Sequence, residues 1–99
     1  MPPMPIDIAP PVMTPPAIYR DVKQFRRIED RIMPADDVAR ICWERAIKYH
    51  FSLPAVGHVF LGCSLWWPDR CEIVRINRND VRDHELAHCA GWGADHPMR

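Results

Sequence analysis

The sequence predicts a small α+β domain: an N-terminal helix, a β-hairpin forming a small sheet, and a C-terminal helix that carries the chemistry. Three observations predict it. Apolar residues recur at three- and four-residue steps after Asp36, two runs rich in β-branched and aromatic residues flank Pro68-Asp69-Arg70, and Val81 to Ala90 runs without a helix breaker up to Gly91. With 99 residues the chain suits one domain near the lower size limit for a self-sufficient core.

Seven of the eleven prolines fall in the first sixteen residues, which removes backbone donors and restricts φ. Residues 1–19 therefore read as an extended proline-rich arm and residues 20–99 as the folded domain. A linker is the cheaper reading of the arm, and a ligand for a partner domain is the alternative. Residues 20–33 are polar and weakly helical. In the next segment Val38, Ile41, Cys42, the Arg45 stem, Ala46 and Tyr49 form one apolar stripe, with Pro34 and Asp36 or Asp37 suited to its first turn. The stripe predicts a helix from Ala35 to His50, because Leu53-Pro54 and Gly57 break the pattern. Runs His58 to Trp67 and Cys71 to Asn77 then predict the hairpin strands, and Asn79 or Asp80 can cap the last helix.

Thirteen basic and thirteen acidic side chains give zero formal charge, so no long-range field draws the chain to nucleic acid or anionic membrane. The longest apolar runs fall short of the roughly 20 residues that span a bilayer. No signal peptide is visible. The four cysteines, Cys42, Cys63, Cys71 and Cys89, are compatible with two disulfides and hence with a periplasmic or secreted location; four reduced, buried thiols in a cytoplasmic protein are the alternative. A wide hairpin loop would allow Cys63–Cys71, whereas a tight turn at Asp69 opposes it and makes Cys42–Cys89 the natural pair across a helix interface.

The last helix contains His84-Glu85-Leu86-Ala87-His88, an H-E-x-x-H pattern. At about 100° per residue the two histidines lie about 40° apart and one turn apart, so both imidazoles converge on one ion. Glu85 is too far around to be a natural third ligand but is placed to act as a base on a metal-held water. Leu86 and Ala90 fall nearly opposite and predict the core side; Cys89 reads as structural. His96 follows the glycine turn within reach of the ion.

His84 to Trp92 resembles the active-site helix and glycine turn of the zincins, particularly the metzincin pattern H-E-x-x-H-x-x-G-x-x-H. It is also similar to small bacterial proteins of unassigned role with a cysteine right after the second histidine and a Gly-aromatic-Asp-His tail. The resemblance implies a minimal zincin-like zinc metallopeptidase acting on a peptide or protein substrate, with strand Glu72 to Asn77 in the place of the edge strand that holds substrate. The metzincin third-ligand position would be Ala94, which cannot bind a metal. His96 is preferred and Asp95 is the alternative, so the expected Zn²⁺ ligands are His84, His88 and His96, with Glu85 as catalytic base. A zinc-binding but inactive interaction module is the competing reading. With imidazoles of ordinary pKa, about 6.5, metal should be lost below about pH 6. His50 and His58 read as a helix end and a strand end. One of Trp66 and Trp67 should face the core, and neither reads as a site residue. Tyr19 and Tyr49 lie far from the motif in sequence.

Overall fold

The computed structural model describes residues 13–20, 27–93 and 96. Among the described residues, three helices and a three-stranded mixed sheet follow the order α1 (Ala17–Arg20), β1 (Arg27–Ile32), α2 (Ala35–Tyr49), β2 (Gly62–Trp66), β3 (Arg70–Arg75) and α3 (Asn79–Cys89). The α+β class is as the sequence predicts. The single turn α1 lies where the proline content predicts extended chain.

Helix α2 begins after Pro34 and ends with His50 in the left-handed conformation, its N–H bonded to the Ala46 carbonyl. Val38, Cys42 and Ala46, spaced four apart, are buried and form its sheet-facing stripe. Residues 27–32, expected to be weakly helical, instead form β1, parallel to β3. Its sequence RIEDRI has no apolar period because the strand lies at an edge and is mostly exposed. Backbone pairing and ions hold it: both oxygens of Asp30 accept from Arg75, at 2.8 Å each.

The strand order is β1-β3-β2, so β3 is central. This corrects the comparison of Glu72 to Asn77 with an edge strand; β2 is the edge nearest the histidine helix. It also shortens the first hairpin strand, since His58 to Leu61 lies outside β2. The β2–β3 turn is tight, with the Trp67 N–H bonded to the Arg70 carbonyl and Trp66 opposite Cys71.

That register decides the disulfides. Cys63 stands opposite Val74, three residues from Cys71, and successive side chains alternate faces, so the two hairpin cysteines point to opposite sides of the sheet. Helix α2 covers one side, where Val38, Cys42, Cys63 and Val74 cluster. Helix α3 covers the other, where Cys71, Ile73 and Cys89 cluster. The bridges are Cys42–Cys63 and Cys71–Cys89. Neither of the alternative pairings, Cys63–Cys71 or Cys42–Cys89, is formed: the two hairpin cysteines face opposite sides of the sheet, and the sheet separates the two helices. No helix among the described residues is long and apolar enough to cross a membrane.

Candidate metal centre

Helix α3 runs from Asn79 with Arg78 before it, so the expected cap at Asn79 or Asp80 is not formed; both residues lie inside the first turn, where Asp80 Oδ1 accepts from the Val81 N–H. Its sheet-facing stripe is Val81, Glu85 and Cys89, all buried, and Ala87 is buried as well. Leu86 packs, half-buried, on the Cys71–Ile73–Cys89 cluster, whereas Ala90 is only half-buried at the helix end. The expected core side is therefore displaced around the helix, towards Glu85. Gly91 has φ +115° and reverses the chain, as its lack of a side chain permits. The Trp92 N–H bonds back to the Ala87 carbonyl. His96 has φ 55°, and its N–H reaches the Gly93 carbonyl, returning its ring over the helix. Asp95 lies outside the described residues.

The fold brings His84, His88 and His96 together. Their Nε2 atoms form a triangle with all three sides 3.2 Å. An ion about 2.0–2.1 Å from each nitrogen would sit about 0.9 Å above that triangle and subtend about 103° between ligands, close to tetrahedral. Proton positions sharpen this point. The His88 Nδ1 lies 2.8 Å from the Trp92 carbonyl and the His84 Nδ1 lies 2.8 Å from the Met13 carbonyl. A carbonyl only accepts, so both neutral rings carry their proton on Nδ1 and present a bare lone pair at Nε2. Two lone pairs facing each other at 3.2 Å repel unless a cation lies between them.

Trp92, only 2% exposed, is the floor of this arrangement. Its ring stacks on His88 at 4.9 Å and meets His84 and His96 edge-on, each at 5.0 Å. Burial depresses both helix histidines: His84 below the ordinary imidazole value, and His88 to about 4, with the neighbouring imidazoles adding to the effect. For His84 and His88 the expectation of an ordinary imidazole pKa is thus corrected, because burial disfavours the charged ring.

Glu85 is 5% exposed. Desolvation pushes its carboxyl up to about 7, opposed by Ser64, whose Oγ lies 2.8 Å from Oε1. Gly62 lets the strand pass over this group: a Cβ there would stand 3.1 Å from Oε2 and 3.0 Å from Val81 Cγ1. Sequence reading missed Ser64, Gly62 and the role of Trp92. The signal for Ser64 is a polar residue on the α3 face of β2, between the buried Cys63 and Leu65.

A cleft of about 630 Å³ opens beside the three histidines, and Glu85, Ser64, Trp66, Trp67 and Tyr49 are among its lining residues. The expectation that one tryptophan is core does not hold: Trp66 is 51% exposed, its Nε1–H donating to the His88 carbonyl, and Trp67 is half-buried. Tyr49 reaches the cleft because the end of α2 adjoins the hairpin turn, its ring 6.3 Å from that of Trp67. His50 and His58 stay exposed and are not part of the histidine triangle. The chain matches no known protein family, no curated protein and no solved structure.

Proposed function

We propose that this protein is a zinc-dependent hydrolase of peptide or amide bonds, of the zincin type, with His84, His88 and His96 as ligands and Glu85 as general base. The carrying observation is the convergence of the Nε2 atoms of His84, His88 and His96, each pair 3.2 Å apart. Three imidazoles with one open side suit a catalytic zinc, which supplies polarisation of a carbonyl and a more acidic water. The chain's own contribution is to hold and move a proton. Glu85 takes it from water and passes it to the leaving amine, while Ser64 Oγ fixes the carboxylate direction from the strand side. Hydrogen bonds from His84 and His88 to carbonyls hold the ligand rings in the tautomer a metal requires. The two disulfides agree with work in an oxidising compartment, periplasmic or extracellular.

The near-complete burial of Glu85 against Ser64 favours a second reading, a zinc-binding interaction module without turnover. Metal analysis of protein purified without a histidine tag, combined with Glu85→Gln, separates the two. The hydrolase is expected to carry about one zinc per chain, and the variant to keep it while losing at least about 100-fold in peptide hydrolysis. Zinc in both proteins with hydrolysis in neither leaves the binding module. A metal-free chain whose stability is unchanged by chelator removes both.

A further inference from the structure

The two helix histidines are locked in the same tautomer by carbonyls of very different origin. The carbonyl on His88 belongs to Trp92, four residues on in the same helix–turn unit. The one on His84 belongs to Met13, seventy-one residues away, in the proline-rich arm. The arm is seated there by more than this bond. Pro15 is buried, α1 packs on α3, and the Tyr19 N–H closes its turn on the Pro16 carbonyl.

We propose that residues 13–19 form a clasp for the metal centre, the Met13 carbonyl acting as a positioning group that holds His84 ready to bind, so that arm docking and metal binding are coupled. The inference rests on the three-histidine metal site and goes beyond it by assigning a role to the arm. Without the Met13 carbonyl, His84 loses the bond that keeps its proton on Nδ1. Its ring is then free to rotate, or to place the proton on the nitrogen that must bind the ion. Such outer contacts are typically worth 10- to 100-fold in metal affinity. Coupling is reciprocal, so the ion must tighten the arm by the factor by which the arm tightens the ion. His88 is exempt, because its carbonyl cannot leave while the helix and its turn persist. The arm is thereby a segment through which a protease or a binding partner would weaken the centre without touching a ligand.

The experiment uses the full, disulfide-bonded chain and zinc ions alone. Hydrogen exchange with and without zinc is expected to show the Tyr19 amide, which is bonded to the Pro16 carbonyl, slowing on metal binding by roughly 10-fold or more. Zinc that slows exchange in α3 but changes the Tyr19 amide by less than about twofold overturns the clasp and leaves the metal site standing. Pro15→Asp, which places a charge where the arm is buried, is expected to lower zinc affinity by 10- to 100-fold in a chelator competition. Ile18→Asp, at a position 66% exposed, is expected to change it less than about twofold. Equal affinity in the Pro15 variant, with exchange showing the arm released, also overturns the clasp. A wild-type chain that takes up no zinc overturns the metal site itself and the clasp with it.

Discussion

Two glutamates on opposite faces of one small sheet show solvent nearly the same small fraction of their surface, yet Glu85 lies far deeper among protein atoms, and their surroundings treat them in opposite ways. Glu72 is 6% exposed on the α2 face and Glu85 is 5% exposed under β2 on the α3 face. Burial by itself would raise both. At Glu72 it is outweighed by the Arg45 guanidinium, whose Nη2 donates to Oε1 at 2.6 Å, with help from the Trp67 indole Nε1–H and Arg31, and the carboxyl is held below its usual range. At Glu85 a single hydroxyl opposes desolvation and loses. A buried charge with its counter-ion is architecture; a buried carboxyl left near neutrality is a group that can exchange a proton. The difference separates the structural face of this protein from its chemical one.

Removing the counter-ion is the hardest test of this contrast. Arg45→Met leaves Glu72 buried without its main partner and is expected to cost about 3 kcal/mol, the low end for a broken buried pair because Arg45 keeps some exposure. Urea denaturation reads it, and the Arg45→Met/Glu72→Met double variant should recover most of the loss. A cost under about 1 kcal/mol would erase the distinction.

The next test is pH, on metal-free protein. Glu72 has a lowered folded pKa, so its stabilisation is present above the unfolded value, about 4.5, and is lost as pH falls through the folded value. Glu85 has a raised pKa, so its contribution is present below about 4.5 and is lost as pH rises through about 7. Relative to wild type, Glu72→Gln should therefore be most costly at neutral pH and least costly in acid. Glu85→Gln should gain ground from pH 5 to pH 8, by on the order of 2 kcal/mol. Parallel curves for the two variants would show that their environments do not differ in the stated sense.

Ser64→Ala probes the smallest effect, one hydrogen bond on a buried carboxyl, and should cost about 1 kcal/mol. It should also narrow the contrast's cause to desolvation: with the hydroxyl gone, the Glu85 carboxyl titrates higher still, readable by carboxyl NMR in the metal-free chain. An unchanged or lower titration would assign the shift to something other than burial opposed by Ser64.

The sequence by itself determined what is local. The α2 stripe, the presence of a hairpin turn at Pro68-Asp69-Arg70, the run of α3 and the spacing of His84 and His88 are set by periods of 3.6 and 2 and by turn chemistry within a few residues. His96 as the third converging nitrogen was also legible, because Gly91 permits a sharp reversal just after His88 and an imidazole matches the other two. Only the tertiary structure decided the rest. Strand β1 has no apolar period, since its pairing comes from backbone and from Arg75 at a distance. Disulfide partners depend on which face of the sheet each helix covers, a fact no pair spacing contains. Ser64 meets Glu85 across 21 residues and Met13 meets His84 across 71, and contacts closed over such loops are selected by the packed fold as a whole rather than by any local preference of the chain.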